Sequence, residues 1–303
     1  MERARRLRVS GPRFVVIGDV INDIVVVPRG TIQVDADTTA SVRTRPGGSA
    51  ANTAAWLGAL GAEVDFVGCV GSESLEWHRN ALRDQGVTPH LNVEPGFSTG
   101  TIVIVVEGEH RTMLTERGAN SAISSSLVTD EILDGAAMLH ISGYSIVDGY
   151  GDAGARDLID RATALGVPVS VNPGAVGYIL EFGVERFLAA IAGATVFFPN
   201  LAEGKLLTGR DDPEGIAKKL LTHFPLVVVT LGADGALIAT RGEKPILVPA
   251  PAVRLVDPTG AGDAYAAGFL ETWVATGSLD LAGQAGAQAA ARVIMIVGGR
   301  PAI

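Results

Sequence analysis

The chain has 303 residues, 47% of them hydrophobic and 38 of them glycine, which is enough for one large domain or one domain with an appendage. Its formal net charge of −9 argues against a nucleic-acid binder, and its single cysteine excludes an intrachain disulfide and a multi-cysteine zinc site. The apolar runs are too short to span a bilayer, and no signal-peptide core follows the arginine-rich residues 1–12. We therefore expect a cytoplasmic protein whose first twelve residues form a flexible arm.

Short β-branched runs alternate along the chain with Ala- and Leu-rich segments of helical periodicity. The near-continuous apolar character of the runs is typical of strands buried on both faces. We predict strands at 13–18, 64–68, 137–142, 167–172, 194–200 and 226–232, and helices at 49–61, 155–166 and 213–224. This strand–helix repetition predicts an α/β fold with a mainly parallel central sheet covered by helices.

Two segments, 31–45 and 100–117, depart from this rhythm because their apolar and polar residues alternate. The second segment has a turn-like EGEH in its middle and is typical of a β-hairpin. Strands with one solvated face do not suit a sheet covered on both sides. We interpret the two segments as a small antiparallel flap, although an ordinary edge hairpin would give the same pattern.

Polar residues collect where the predicted strands end, which is where open α/β sheets bind ligands. Taken singly, each of these residues equally fits an ordinary turn or helix cap. Taken together they predict one polar rim, formed by Asp19, Asn22, Asp23, Asn200, Glu203, Gly232, Asp234 and Gly235.

The segment 46–61 adds a glycine pair and a helix to this rim. Gly47 and Gly48 allow a backbone to approach a ligand closely, and Ser49 is placed to cap the following helix. Asn52 falls in the first turn, where an amide can bind a hydroxyl-rich substrate. A glycine-loosened turn before a packed helix is the structural alternative.

The segment 257–270, DPTGAGDAYAAGFL, predicts a helix that begins near Asp263. Gly260, Ala261 and Gly262 would leave backbone N–H groups open at the positive end of the helix dipole. Such donors stabilise a phosphoryl group during transfer, and an adjacent carboxylate can accept the proton of an attacking hydroxyl. An N-cap alone would need the aspartate but not the small residues before it.

Other nucleotide and metal motifs are missing from the sequence. It contains neither GxxxxGK[ST] nor GxGxxG after the first strand, and its five histidines show no metal-ligand spacing. His140, Ser142 and Tyr144 end a predicted strand and are weaker candidates for substrate contacts.

Residues 47–71 and 257–270 resemble the two signatures of the ribokinase-like (PfkB-type) carbohydrate kinases. The resemblance continues in order through 117–120, 199–203 and 230–235 to the terminal GGRPAI, and it covers almost the whole chain. It implies a three-layer ribokinase-like fold with a small antiparallel β lid. The implied kinase domain comprises 13–30, 46–94 and 118–303, and the implied lid comprises 31–45 and 95–117.

The resemblance also implies roles for individual residues. Asp263 would be the catalytic base, and Gly260, Ala261 and Gly262 the anion hole. Asp19, Asp23, Gly48 and Asn52 would hold substrate hydroxyls. Asn200, Glu203, Thr230, Gly232 and Gly235 would serve ATP and its Mg2+, with Glu203 acting on the metal indirectly. Asp257 and Thr259, with carbonyls from 293–298, would hold a potassium-like ion.

Two departures from the family pattern limit these expectations. Pro258 removes one backbone donor just before the predicted anion hole, and the SGY that ends the strand near 140 lacks the glutamate that some ribokinases use on the sugar. Arg117 could face a polar substituent of the substrate, although a solvent-facing flap arginine is the favoured interpretation.

The leading hypothesis is an ATP-dependent kinase that phosphorylates a hydroxyl of a small sugar or sugar derivative, working as a homodimer through the lid. A nucleoside kinase resembling those for adenosine or pseudouridine is the alternative. A non-catalytic ligand sensor is a third hypothesis, which the intact GAGD sequence disfavours.

Overall fold

The structure is a computed structural model that describes residues 11–107 and 110–302, with the backbone alone described at His110. Residues 1–10 of the expected arm lie outside the described part of the chain. Among the described residues, no helix combines the length and apolar character that a membrane crossing demands.

The described residues form strands and helices that alternate through most of the chain. The strands are β1 (Arg13–Ile17), β2 (Ile21–Pro28), β3 (Ala40–Gly47), β4 (Glu63–Val70), β5 (Val87–Val93), β6 (Gly100–Glu107), β7 (His110–Glu116), β8 (Met138–Ser142), β9 (Val169–Asn172), β10 (Val196–Phe197), β11 (Leu226–Thr230), β12 (Ala236–Thr240) and β13 (Ile246–Val248). The helices are α1 (Ser49–Ala59), α2 (Leu75–Arg83), α3 (Asp130–Leu133), α4 (Gly143–Ser145), α5 (Gly151–Ala164), α6 (Val176–Phe182), α7 (Val184–Ala190), α8 (Leu201–Thr208), α9 (Pro213–Leu220), α10 (Ala261–Thr276) and α11 (Leu279–Val293).

A nine-stranded sheet forms the centre of the molecule, in the order β13-β12-β11-β10-β9-β8-β1-β4-β5. Every pair from β11 to β5 is parallel, whereas β12 and β13 continue the sheet in antiparallel fashion. The predicted mainly parallel sheet is therefore confirmed. The strand predicted at 194–200 is reduced to the two residues of β10.

Helices cover both faces of this sheet, as the apolar strands predict. Alternate residues of β1 enter two separate clusters of buried side chains: Val15 and Ile17 belong to one, Phe14 and Val16 to the other. All four are fully buried. The three-layer arrangement is thus a direct consequence of strands that are apolar on both sides.

A second sheet of four strands, in the order β3-β2-β6-β7, projects from the first and is called the lid below. Its extent differs from the sequence-based expectation: β2 belongs to it, although residues 21–28 had been assigned to the main domain, and residues 31–39 contribute no strand. The central pair β2–β6 is parallel, and its two neighbours are antiparallel. A parallel pair joins segments far apart in sequence, so no local turn signal announces it.

The two faces of the lid carry different side chains. Register pairing places Asp23, Ile102 and Thr115 on one face, and Ile24, Val103 and Leu114 on the other. The first face points to the main domain, as the site described below shows. Leu114 on the second face is 60% exposed. The homodimer expected through residues 100–106 stays a prediction.

Asn120 joins two of the four places where the described chain passes between the main domain and the lid. Its Oδ1 accepts a hydrogen bond from the Val20 N–H, just before β2 begins, and its Nδ2 donates to the Val20 carbonyl, both at 2.9 Å. The same Nδ2 donates to the Arg117 carbonyl at 3.1 Å, just after β7 ends. Asn120 and Val20 are buried, so these bonds replace water at the base of the lid.

Helices α10 and α11 pack closely because glycines lie at their contact. A Cβ on Gly268 would lie 2.7 Å from the Ala285 carbonyl oxygen, and one on Gly286 would lie 2.9 Å from that of Tyr265. This contact fixes the position of α10, whose first turn carries Asp263.

Replacement of the buried amide at the lid base tests this part of the fold. Asn120→Ala leaves the N–H and carbonyl of Val20 buried without partners, and we expect it to lower the free energy of unfolding by roughly 2–4 kcal/mol. Urea unfolding followed by circular dichroism measures the change. Ser121→Ala, at an exposed neighbour, is the control and should stay within about 0.5 kcal/mol of the parent. Equal stabilities of the two variants would contradict the role of Asn120.

Candidate active site

A cleft of about 790 Å³ lies between the lid and the carboxyl ends of the central strands. All of the predicted catalytic and substrate-binding residues line it, as do Asn200, Glu203, Thr230 and Thr259. Gly232, Gly235 and Asp257 do not line it. The lid contributes side chains from its inner face, including Ile102, Ile104 and Met113, so the cleft has an apolar roof over a polar floor.

Asp263 lies in the first turn of α10 with its carboxyl group enclosed by protein. Its Oδ1 accepts a hydrogen bond from Ser49 Oγ at 2.7 Å, and its Oδ2 accepts one from Asn52 Nδ2 at 3.0 Å. Burial raises the pKa of Asp263 to about 7, even though these two hydrogen bonds favour the ionised form. The group is therefore poised to accept a proton near neutral pH.

The backbone before Asp263 has the geometry of a helix N-terminus that begins at a glycine. Gly260 adopts a left-handed conformation (φ 78°), and a Cβ there would lie 2.5 Å from Gly299 Cα. The Gly260 carbonyl accepts the bond from the Ala264 N–H at 2.9 Å. The N–H groups of Gly262 and Asp263 therefore lie in the first turn, where no earlier turn supplies an acceptor.

The predicted anion hole needs one correction. The Ala261 N–H donates to the Pro258 carbonyl at 3.2 Å and closes a tight turn, so it is not a free donor. Proline at 258 stiffens this turn because its ring restricts the backbone. The donors available to an anion are those of Gly262 and Asp263.

Ser49 and Asn52 both donate hydrogen bonds to Asp263. The sequence predicts that Ser49 caps α1, but the N-cap position is Gly48, and the Ser49 hydroxyl donates to Asp263. Asn52 was expected to bind a substrate hydroxyl, and its amide nitrogen also donates to Asp263. Its Oδ1 is buried without a hydrogen-bond partner among the described residues.

Asp19 caps α1 from the end of β1, a role that differs from the predicted substrate contact. Its Oδ2 accepts from the Ser49 N–H at 2.6 Å, and its Oδ1 accepts from the Ala50 N–H at 3.2 Å and from Ser142 Oγ at 2.8 Å. A carboxylate at a helix N-terminus is favourable because it satisfies open N–H groups and complements the dipole. Both oxygens thus have protein partners.

Asp23 reaches the cleft from β2 of the lid because the neighbouring strand carries a glycine. A Cβ on Gly47 would lie 2.1 Å from Asp23 Oδ2, and one on Gly48 would lie 2.3 Å from the Asp19 carbonyl oxygen. Burial raises the pKa of Asp23 to about 7, and the nearby positive charge of Arg300 opposes that rise. Asp23 is therefore a buried acid on the lid side of the cleft.

Asn200 and Glu203 form a reciprocal capping box at the start of α8. The Asn200 N–H donates to Glu203 Oε2 at 2.8 Å, and the Glu203 N–H donates to Asn200 Oδ1 at 2.9 Å. Burial raises the pKa of Glu203 to about 7. No three His, Cys, Asp or Glu side chains cluster as a metal site within the described ranges.

The strand end at 230–235 contributes only its first residue to the cleft. Thr230 lines the cleft and forms a parallel bridge with Asn200. Gly232 and Gly235 lie in the turn that joins β11 to β12, where both have positive φ values of 63° and 94°. These two glycines allow the turn, and their expected role near the nucleotide stays a prediction.

The predicted monovalent-cation ligands are already occupied by protein donors. Asp257 Oδ1 accepts from the Thr259 N–H at 2.8 Å, and Oδ2 accepts from the Gly298 N–H at 3.0 Å. Arg111 of the lid adds an ion pair to Oδ1 at 2.7 Å. These residues do not fit a potassium-like ion, because the positive Arg111 guanidinium already lies against Asp257 Oδ1 and Thr259 Oγ1 and would repel a second cation there.

Several cleft residues were not found by sequence reasoning, or were assigned elsewhere. Arg117, predicted to face solvent, lines the cleft and forms ion pairs with Asp148 at 2.9 Å and Glu181 at 3.0 Å. Its guanidinium also lies 5.3 Å from the centre of the Tyr178 ring. Burial raises the pKa of Asp148 to about 7 against the opposing charge of Arg117. The partners lie on separate elements, so no sequence motif joins them.

The three weaker candidates at the end of β8 differ in position and in hydrogen-bond partners. Tyr144 lines the cleft and packs edge-on against Tyr178, with ring centres 4.9 Å apart. Ser142 donates to Asp19, and His140 is buried against Ser170. Ser145 and Asn172 also line the cleft, and each has a buried oxygen without a partner among the described residues.

Comparison with known proteins places this geometry in a family. The pattern of the pfkB family carbohydrate kinases matches residues 12–302. A ribokinase of Haemophilus influenzae is 29% identical over 287 residues, which cover 91% of this chain and 90% of that protein.

Solved structures show the same fold. The structure of adenosine kinase from Sinorhizobium meliloti superposes with a TM-score of 0.87 at 26% identity and covers 97% of both chains. The structure of Arabidopsis thaliana ribokinase with ribose and ATP gives a TM-score of 0.79 at 25% identity, over 96% of this chain and 94% of that one. The chain described here belongs to the pfkB family of carbohydrate kinases, and its fold is that of the ribokinase-like enzymes.

Proposed function

We propose that this protein is an ATP-dependent kinase that phosphorylates a hydroxyl group of a small, unphosphorylated sugar or sugar derivative. The observation that carries the proposal is the position of Asp263, a half-buried carboxyl with a pKa of about 7, beside the open N–H groups of a helix N-terminus. Both lie on the wall of one cleft. The family membership and the likeness to ribokinases support the same reaction class.

In the proposed reaction, Asp263 accepts the proton of the acceptor hydroxyl, and the hydroxyl oxygen bonds to the γ-phosphorus of ATP. The bond from that phosphorus to the β–γ bridging oxygen breaks, and ADP leaves. The Gly262 and Asp263 N–H groups stabilise the negative charge on the transferred group. Ser49 and Asn52 orient the Asp263 carboxylate through their hydrogen bonds.

Glu203 and Asn200 would hold Mg2+ at the nucleotide phosphates, Glu203 indirectly. Mg2+ supplies charge neutralisation at the phosphate oxygens when it is bound. The buried, raised-pKa carboxyl of Glu203 gains ionisation from a nearby cation, which suits this position. The lid closes the cleft over the reactants with its apolar residues and so excludes water.

A hydroxyl-rich acceptor suits the polar floor of the cleft. Asn52, Ser145 and Asn172 line the cleft, and each presents a buried side-chain oxygen with no partner among the described residues. Asp23 adds a buried acid from the lid side. Amide, hydroxyl and carboxyl side chains of this kind hydrogen-bond the hydroxyl groups of a sugar.

The second candidate is a nucleoside kinase. Tyr144 and Tyr178 pack against each other on the cleft wall, and Ile102, Ile104 and Met113 of the lid face the same space. Aromatic and apolar walls of this kind stack a nucleobase. The likeness to the adenosine kinase structure supports this candidate as well.

The role of Asp263 is tested by removing its charge. Asp263→Asn should lower the turnover rate by roughly 10²-fold or more with substrate affinity largely kept, because the general base is lost. Steady-state ADP release and calorimetric binding of the acceptor measure the two effects. The matched control is Asp280→Asn, which changes an exposed aspartate in the first turn of α11. Near-normal turnover of the Asp263 variant would refute the assignment.

The hydrogen bond from Ser49 predicts a change in pH dependence. Since this bond favours the ionised form of Asp263, its loss in Ser49→Ala should raise the pKa of Asp263 above about 7. The acid limb of kcat/KM would then move to higher pH, because a protonated base cannot accept the hydroxyl proton. Both proteins are assayed at each pH, so that titration of the nucleotide affects them equally. An unmoved or acid-shifted limb would contradict the proposed contact.

The acceptor class is tested with ribose, fructose, adenosine and fructose 6-phosphate, scored by ADP release. We expect an unphosphorylated sugar to be turned over and fructose 6-phosphate to have a kcat/KM at least ~10-fold lower, a difference of about 1.4 kcal/mol. The reason is that both cleft-lining arginines, Arg111 and Arg117, are already paired with carboxylates. Saturable turnover of adenosine alone would favour the nucleoside candidate. Ligand binding without ADP release in every case would indicate a sensor.

A further inference from the structure

Arg111 of the lid contacts the loop that precedes the anion hole. Its Nη1 lies 2.7 Å from Asp257 Oδ1 and 3.4 Å from Thr259 Oγ1, although β7 and this loop are 146 residues apart in sequence. Register pairing with Val106 places Arg111 on β7 of the lid, and it lines the same cleft as Gly260 and Asp263. One guanidinium therefore joins the lid to the base of the helix that carries Asp263.

The guanidinium occupies the two side-chain oxygens that a monovalent cation would need. Asp257 Oδ1 already accepts the Thr259 N–H and Asp257 Oδ2 accepts the Gly298 N–H, so Arg111 completes the set of donors around this carboxylate. Arg111 carries the same single positive charge as a potassium ion, and an arginine keeps that charge at any physiological pH. The positive charge beside this loop is thus supplied by a side chain of the protein itself.

The charges around Asp257 are consistent with a permanent ion pair. Burial opposes ionisation of this carboxyl, but the hydrogen bonds from Thr259 and Gly298 and the charge of Arg111 together hold the pKa of Asp257 below its usual value. Asp257 and Arg111 are both largely buried, with side chains 11% and 22% exposed. A pair this enclosed is less screened by solvent and salt than a surface pair.

We propose that Arg111 is a positioning residue that replaces the monovalent cation beside the anion hole and makes the loop 257–260 dependent on the position of the lid. The proposal rests on the kinase function proposed above. With the lid over the cleft, Arg111 holds Asp257 and Thr259, and the turn from Pro258 to Ala261 presents the Gly262 and Asp263 N–H groups to the phosphoryl group. With the lid displaced, this side-chain support is lost.

Two consequences distinguish this arrangement from an ion site. The unmodified protein needs no potassium, because its cation is part of the chain. Truncation of Arg111 opens the two oxygens to a free ion, so that potassium partly restores what the truncation removes. A purely structural arginine would not give the potassium response of the variant.

The experiment compares the parent with Arg111→Ala, Arg111→Lys and the control Arg43→Ala, in KCl and in choline chloride of equal ionic strength. Arg43 lies on β3 of the same sheet and is exposed. The readouts are the thermal unfolding midpoint, the affinity for a non-hydrolysable ATP analogue by calorimetry, and turnover of the best acceptor.

We expect the parent and Arg43→Ala to show the same unfolding midpoint, affinity and turnover in both salts. Arg111→Ala should lose turnover by ~10- to 100-fold in choline chloride, the size of effect that a small misplacement of reacting groups produces. KCl should restore part of that loss and raise its unfolding midpoint by at least ~2 °C, since an ion that binds only the folded state stabilises it. Arg111→Lys, which keeps a charge but loses the planar fork, should lie between the two and show a smaller potassium response.

Three results would overturn the proposal. The first is a potassium-specific rise of midpoint or turnover in the parent, which would show a cation site that Arg111 does not fill. The second is normal turnover of Arg111→Ala in choline chloride. The third is a loss of turnover in Arg111→Ala that KCl does not restore, with the same unfolding midpoint of this variant in both salts. That result would assign Arg111 to direct binding of a ligand. The midpoint and the nucleotide affinity are read without an acceptor, so an absence of turnover in the parent refutes the kinase function and leaves this comparison intact.

Discussion

A carboxyl group enclosed at the meeting point of two helices is the constraint on which the rest of this site depends. Removal of Asp263 from water is costly unless donors surround it, and the donors come from α1 through Ser49 and Asn52. Helix α1 must therefore begin opposite α10, and the glycines at 47, 48 and 260 allow the backbone to make that approach. The same enclosure raises the pKa of Asp263 into the range where a base is useful.

The cleft concentrates carboxyl groups, and the lid supplies much of the compensating charge. Asp23, Asp148, Glu203 and Asp263 all have raised pKa values because burial disfavours their charged forms. Arg111 lies near the start of β7, and Arg117 directly follows its end. Arg111 pairs with Asp257 and Arg117 pairs with Asp148, both acids of the main domain. The balance of charge in the cleft therefore depends on the lid, and so does the shape of the cleft.

The elements that could be predicted from sequence are those encoded locally. Continuous apolar runs identified the buried strands, and the spacing of Asn200 and Glu203 is that of the capping box observed in α8. The small residues before Asp263 identified the helix N-terminus at the cleft. The family resemblance, carried by the same segments, is confirmed by the match over residues 12–302.

The features that sequence reasoning missed are set by contacts between distant segments. The apolar run of β2 resembles a continuation of β1, and only its pairing with β3 and β6 assigns it to the lid. Asp19 is a helix cap because its donors lie 30 residues further along the chain. The ion pair of Arg111 with Asp257 likewise has no local signature, so a residue pattern predicted free cation ligands where the fold supplies a guanidinium.

The amide of Asn120 gives the lid a mechanical property. Because it bonds to the backbone at Val20 and at Arg117, it joins two of the places where the chain passes between the main domain and the lid. Arg111 is six residues along the extended chain from Arg117, a lever arm of about 20 Å. A rotation of only about 10° at the junction would displace the far end of such an arm by roughly 3.5 Å, more than the length of the bond to Asp257. Small changes at the base of the lid are thereby amplified into the making or breaking of a contact at the catalytic loop.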